Sequence, residues 1–207
     1  MITKTFKQLA LILFTITCLS SCFQPPFNHF KADKFDLGDS DVCGKPTFHT
    51  RAERNTIART TIRHLASQAI QFVQQGDKMT LIIPTDPYYL FNSPDFDDTE
   101  FAALNNIAKF VKLFPCSQFI VAGFTDNVGK KSLQNKLSKA RAETMLTFLW
   151  AKGVPAQRLK SEGLGQHFSI GNNRIVHGSA YNRRIEIQWW TNKVTRPLPI
   201  PENMKTK

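Results

Sequence analysis

The chain has 207 residues and a mass of 23.5 kDa, the size of one domain with additional chain around it. Hydrophobic residues make up 42% and charged residues 21%, which excludes a chain disordered throughout, and the single long apolar run at the N-terminus is too short for a polytopic membrane protein. A net charge of +11 points to an anionic partner, and four cysteines exclude a disulfide-dense scaffold.

Lys4 and Lys7 precede an apolar stretch from Leu9 to Leu19, which closes on Ser20, Ser21 and Cys22. This is the form of an export signal. The order Leu19-Ser20-Ser21-Cys22 resembles the lipobox of bacterial lipoproteins, whose cysteine becomes the first mature residue and carries the lipids on a thioether. The resemblance implies a signal peptide over 1–21 and lipidation at Cys22. Phe23, where an aspartate would retain the protein in the inner membrane, implies an outer-membrane lipoprotein facing the periplasm. The alternative is a plain secretory signal with Cys22 incidental. Loss of residues 1–21 removes Lys4, Lys7 and no acid, so the charge falls from +11 to +9. An exported chain of that charge suits anionic head groups or the cell-wall polymer, and nucleic acid is not expected. In an oxidising compartment Cys43 and Cys116 form a bridge or stay as two buried thiols.

Residues 22–49 have prolines, glycines and no sustained period, and read as a tether in which Phe23, Phe27, Phe30 and Phe35 could dock on a partner. Thr50 caps a helix to about Ser67 with Ala58, Ile62, Leu65 and Ala66 on one face. Residues 69–74 and 78–83, around Gly76-Asp77, predict a hairpin whose second strand Pro84 ends. The acids Asp95, Asp97, Asp98 and Glu100 lack the spacing of a calcium loop. They read instead as the start of a helix capped by Thr99 and running to Phe114. Gln118 to Phe124 is a strand. Leu133 to Lys152 is a helix with Leu137, Ala142, Met145, Leu146 and Leu149 on its core face. Arg158 to Glu162 is a short strand, 166–182 a loop, and Arg183 to Trp189 a final strand. The tail 193–207 reads as loose and proline-rich. This order predicts an α/β sandwich, with helices on one face of a mixed four- to five-stranded sheet.

The strand at 118–124 delivers Thr125-Asp126 to its carboxyl end, where α/β sheets favour ligands, and Arg141 lies in the next helix. Asp126 suits an ammonium and Arg141 a carboxylate, so the pair is complementary to a zwitterion. Taken alone, the two read better as a turn aspartate and a solvated arginine.

Six spaced blocks change the weighting: Gly123-Phe124-Thr125-Asp126-Asn127-Val128-Gly129, Leu137-Ser138, Arg141-Ala142, Gly153-Val154-Pro155 with Arg158-Leu159, Gly163-Leu164-Gly165, and Asn182-Arg183-Arg184-Ile185-Glu186-Ile187. Together they resemble the OmpA-like C-terminal domain over about residues 78–190. The resemblance implies an OmpA-like βαβαβ sandwich over 78–192, preceded by a helix and hairpin strand at 50–77. It also implies non-covalent binding of the diaminopimelate stem of peptidoglycan. Asp126, Arg141, Asn182 and Arg183 match its pattern, with Thr125 before the acid. Three positions depart from it. Phe124 stands where His or Tyr is usual, Gln134 (beside Asn135) where Asn is usual, and Ser179 where Arg commonly follows Gly178. Asn92 takes the place of an aspartate after Phe91 and can still accept a hydrogen bond.

The hairpin with residues 81–86, together with residues 148–154, resembles the small lipoprotein of Dot/Icm type IVB secretion systems. That implies an anchor among other secretion-complex subunits. A scaffold subunit with a vestigial wall site is the alternative. A cell-wall hydrolase is disfavoured, because Glu162 and Glu186 are lone acids and His29, His49, His64, His167 and His177 are scattered. No catalytic residue, cofactor or metal is expected.

Overall fold

The structure is a computed structural model and describes residues 31–36 and 50–191. Thr50 opens helix α1 (Arg51–Ser67) through a reciprocal box: its hydroxyl accepts from the Glu53 amide at 3.3 Å, and the Glu53 carboxylate accepts from the Thr50 amide at 2.8 Å. Ala58, Ile62 and Leu65 of the predicted face are buried, whereas Ala66 is exposed. Strands β1 (Gln71–Gln75) and β2 (Lys78–Pro84) form the expected antiparallel hairpin, with Gly76 at a positive φ of 58° in its turn.

The start of the next helix differs from the expectation. Asp97, not Thr99, is the cap, accepting from the Thr99 amide at 2.9 Å and its hydroxyl at 2.7 Å. Asp98–Glu100 is a 3-10 turn, and helix α2 covers only Phe101–Val111. Strand β3 (Phe119–Phe124) leads through helix α3 (Lys131–Ala151) to strand β4 (Leu159–Gly165), which pairs with β3 in parallel. Residues 166–182, expected as a loop throughout, contain helix α4 (Val176–Asn182). Strand β5 (Arg184–Trp190) lies antiparallel between β2 and β3, so the sheet order is β1-β2-β5-β3-β4. The expected mixed sheet therefore has five strands.

Alternation splits each strand between two faces. Met79, Leu81, Ile83, Phe119, Val121, Ile185, Ile187 and Trp189 join Ala58, Ile62, Leu104, Ile107, Met145 and Leu149 of the helices in one core. The β3–α3 contact is close enough to need glycine. A Cβ on Gly123 would stand 2.1 Å from the Ser138 carbonyl oxygen, and one on Gly163 2.6 Å from the Lys139 backbone. Gly163 is thus a packing residue inside β4, which runs three residues past the expected strand end at Glu162.

The stretch 31–36 is more than a tether. Phe35 is fully buried, edge-on to Phe72 at 5.2 Å and close to Phe110 and Phe114. The Arg59 guanidinium donates to the Phe35 carbonyl at 3.0 Å, Asn55 donates to Asp36 at 2.8 Å, and Arg63 pairs with Asp33. Phe35 therefore docks on its own domain and is not available to a partner. Phe23, Phe27 and Phe30, like the signal peptide, the lipidation site and the tail 193–207, lie outside the described residues. Emptying the Phe35 site should destabilise the fold by about 3–5 kcal/mol in a Phe35→Ala variant. Urea unfolding checks this, and a loss below about 1 kcal/mol would show that the ring contributes little.

Candidate functional site

The ends of β2, β3 and β4 and the start of β5 meet at one edge of the sheet, since Pro84 and Phe124 both stand opposite Arg184. Arg141 comes to this edge from the first half of α3. It shares the buried face of that helix with Ser138, Ala142, Met145 and Leu149, and is itself only 6% exposed. Its Nε donates to the Ser93 carbonyl at 2.8 Å, and its Nη1 to the Thr85 hydroxyl at 3.2 Å. The guanidinium lies over the Tyr89 ring at 5.4 Å, and the Tyr89 hydroxyl donates to the Arg141 carbonyl at 3.0 Å. Burial pulls the Arg141 pKa below its ordinary value; Tyr89, Asp86 and Asp126 act against that shift and Arg183 adds to it.

Thr85 is fully buried and has a second task. Its amide donates to the Arg183 carbonyl at 2.9 Å, and its carbonyl accepts from the amides of Tyr88 and Tyr89. Tyr88 is anchored through its hydroxyl to the Gln68 carbonyl, and burial, helped by Glu100, pushes its pKa up to about 12. The loop from 85 to 97 is thus fixed at several points before it reaches Arg141.

Asp126 is also 6% exposed, which corrects the reading of the pair as a surface turn acid and a solvated helix arginine. One carboxylate oxygen accepts from the Val128 amide at 3.1 Å. The other accepts from Arg183 Nη1 at 2.7 Å. The ion pair of Asp126 is therefore with Arg183, and Arg141 acts on it through space. Arg183 in turn grips Asp86 with both arms of its fork, Nε at 2.8 Å and Nη2 at 2.6 Å. Those hydrogen bonds, Asp86 first, hold the Arg183 pKa well above its ordinary value against the cost of burial. Two guanidiniums and two carboxylates make the set formally neutral. A carboxylate has about four lone-pair positions and a guanidinium five donors, so Asp126 and Arg141 both keep unused capacity. The hydroxyl of Thr125, the residue before Asp126 in sequence, is buried and unpartnered.

The remaining expected ligands separate. Asn92 is exposed on a turn at φ 53°, and the acceptor reaching Arg141 is the carbonyl of its neighbour Ser93. Gln134 donates to the Val128 carbonyl and closes the loop after Asp126, while Asn135 lies against Gly165. Asn182 is fully buried with every position of its amide engaged. Its Oδ1 accepts from the amides of Ile170 and Gly171 at 2.8 and 2.9 Å, and its Nδ2 donates to the Gly171 carbonyl at 2.9 Å and to Asn173 Oδ1 at 2.7 Å. It latches the loop after β4 and has no group left for a ligand. Ser179 donates to the Asn173 carbonyl at 3.2 Å in the same latch. Phe124 points to the other face of the sheet, where the Arg184 guanidinium lies 3.8 Å from its ring centre and pairs with Glu186 at 2.7 Å. The substitution of His or Tyr by Phe124 thus falls away from the Asp126–Arg141 side. Cys116 is disulfide-bonded, and its expected partner Cys43 is outside the described residues.

Thr85, Asp86, Tyr89 and the Ser93 carbonyl were not singled out by sequence. Only Asp86 carried a signal, as an acid two residues after the Pro84 that ends a strand. Among the described residues no group of three or more His, Cys, Asp or Glu is placed to hold a metal ion, and no helix is long and apolar enough to cross a membrane.

Residues 88–183 match the OmpA family. The chain is 30% identical over 118 residues to "Probable lipoprotein YiaD" of Escherichia coli, a match spanning 57% of this chain and 54% of that one. It is 34% identical over 88 residues to "Peptidoglycan-binding protein ArfA" of Mycobacterium tuberculosis, spanning 42% of this chain and 27% of that one. The chain thus spans about half the length of the first relative and about a quarter of the second. Among solved structures, the cell wall anchor of the T6SS from Pseudomonas aeruginosa superposes with a TM-score of 0.59 at 26% identity, covering 66% of this chain and 97% of that one.

Removal of the Asn182 amide should free the loop without touching the charges. In an Asn182→Ala variant, hydrogen exchange at the Ile170 and Gly171 amides should accelerate at least about tenfold, through loss of bonds each contributing about 1 kcal/mol. Unchanged exchange there would show that the loop is held by other contacts.

Proposed function

We propose that the OmpA-like domain carried by this chain binds peptidoglycan non-covalently, taking the diaminopimelate of the peptide stem between Asp126 and Arg141. Asp126 receives the ammonium and Arg141 the carboxylate. The observation that carries this reading is the state of Arg141. A buried guanidinium is fixed by the Ser93 carbonyl, the Thr85 hydroxyl and the Tyr89 ring, and still has donors to spare. Such a group is pre-organised for one carboxylate, because little further ordering is needed on binding. The formal neutrality of the four charges favours a zwitterion over a simple anion or cation. The near-burial of both residues favours a slim side-chain terminus over a bulky one. A relative named as a peptidoglycan-binding protein and a structural neighbour named as a cell wall anchor support the same reading.

On this reading the chain is not an enzyme. Lipidation at Cys22 anchors it in the outer membrane on the periplasmic side, and Cys43 is the partner of Cys116. The similarity of residues 81–86 and 148–154 to the Dot/Icm lipoprotein supports membership of a secretion core complex, with other subunits as partners. One observation favours a second reading, a scaffold subunit with a vestigial wall site. Asp126 already spends one oxygen on Arg183.

Binding to purified sacculi separates the two. Asp126→Ala should lower the retained fraction at least about tenfold, the effect of losing one charge-assisted hydrogen bond. Because Arg141 is buried and bonded to its own fold, Arg141→Lys is the better partner variant; it keeps the charge, loses the fork and should weaken retention similarly. Retention unchanged in both variants, or absent in the unaltered chain, leaves the vestigial reading. Separately, Cys22→Ala should move the protein from the membrane fraction to the soluble one, and an unaltered fractionation contradicts the lipid anchor.

A further inference from the structure

The residues Thr85 and Asp86 precede the segment that matches the family, yet each holds one of the two arginines at the site. Thr85 takes Arg141. Asp86 takes two of the three side-chain bonds of Arg183, which leaves a single arm for Asp126. The chain of groups runs from solvent inward: the Asp86 side chain is 48% exposed, Arg183 29% and Asp126 9%. An ion pair strengthens as it moves from water into a less polar surrounding. Left to itself, the Arg183 fork would therefore turn inward and close on Asp126 in the two-armed geometry that arginine and carboxylate prefer. The outer acid prevents this by occupying the fork first.

We propose that Asp86 is a positioning residue for the ligand site: by clamping Arg183 from the solvent side, it keeps the Asp126 carboxylate open to an ammonium. This rests on the reading of Asp126 and Arg141 as the diaminopimelate site. Asp86 touches no ligand on this view; it sets how much of Asp126 a neighbouring cation consumes. The same arrangement resolves the tension of an acid that must be both neutralised in the free protein and available on binding. Asp126 is neutralised by one hydrogen bond from a guanidinium whose other arms are committed elsewhere, so the incoming ammonium competes with one bond and not two.

The test is a double-mutant cycle read by calorimetric titration with a soluble diaminopimelate-containing muropeptide. Asp86→Ala should weaken binding about tenfold. Adding Arg183→Ala to it should restore most of that loss, since the cation that closes on Asp126 is then gone. In the Arg183→Ala background the Asp86→Ala change should have no further effect. A double variant no tighter than Asp86→Ala overturns the proposal, because Asp86 then acts directly or through the fold; so does an Asp86→Ala variant that binds like the unaltered chain. A ligand-free arm separates this from failure of the site itself. The Arg183 side-chain Nε–H signal in nitrogen-15 NMR should stay ordered in Asp86→Ala, reporting its two-armed pairing with Asp126. A mobile Arg183 there overturns the clamp. If the unaltered chain does not bind the muropeptide, the proposed function falls and the clamp with it.

Discussion

A guanidinium cannot be buried at the end of a sheet unless acceptors meet it from the surrounding backbone, and Arg141 imposes that condition on everything near it. The loop from 85 to 97 is shaped by it. Tyr88 and Tyr89 fold back on the Thr85 carbonyl, Tyr89 bridges to Phe96, and the turn at Asn92 brings the Ser93 carbonyl to Nε. Thr85 supplies a hydroxyl from the end of β2, and Tyr89 supplies a π face. An acid at that place would have neutralised the charge. Neutral acceptors satisfy the geometry without a direct ion pair, so that the guanidinium keeps donors for the carboxylate that the proposed function assigns to it.

The helix that carries Arg141 reaches this position because two strands have no side chain under it. Gly123 and Gly163 let the Ser138–Lys139 backbone sit directly on β3 and β4, and the Lys139 ammonium then donates to the Ser161 carbonyl at 2.7 Å across the same contact. Ser138, fully buried, donates to the Asn135 carbonyl and accepts from the Gly165 amide. Arg141, three residues beyond Ser138 and on the same face of α3, is thereby carried to the sheet edge. The three consecutive residues Asn182, Arg183 and Arg184 are divided in a comparable way. The first latches a loop, the second completes the charged set, and the third covers Phe124 on the opposite face. A run that reads as one motif performs three tasks because the chain passes from helix to strand within it.

Much of this was legible. The hairpin, the strand before Thr125-Asp126, the long helix and the final strand follow from periodicity, whereas the ion pair of Asp126 is with Arg183 and not with the Arg141 it was read beside. The burial of Arg141 was missed, because residue type suggested a solvated side chain, although it lies on the same helical face as Ala142, Met145 and Leu149. What stayed hidden has physical reasons. The Ser93 carbonyl is a backbone group and leaves no mark in a sequence. Helix α4 is seven residues long with Gly178 inside it, required where a Cβ would stand 2.0 Å from the Asn172 carbonyl oxygen, so no apolar period could develop. The Thr99 cap failed because Asp97 accepts from both the Thr99 amide and the Thr99 hydroxyl, which places Thr99 inside the first turn with its side chain already engaged. Phe35 is one of several phenylalanines in an aperiodic stretch, and only the tertiary pocket distinguishes it by its burial.

That pocket fixes the direction in which the chain enters the domain. Phe35 packs with Phe72, Phe110 and Phe114, and Phe114 and Phe119 pack on Trp189, near the end of β5 remote from Arg184. Asp126 and Arg141 lie at the other end, about 17–20 Å away along strands of this length. Residue 31 is nine positions after Cys22, a covalent reach of about 30 Å when fully extended, whereas a leash free to Thr50 would reach about 95 Å. On the proposed lipid attachment, docking of Phe35 therefore removes roughly two thirds of the slack. A protein joining two layers needs its two attachments at opposite ends with little slack between them. On the proposed function, one buried aromatic ring sets the short leash and one buried guanidinium prepares the far contact.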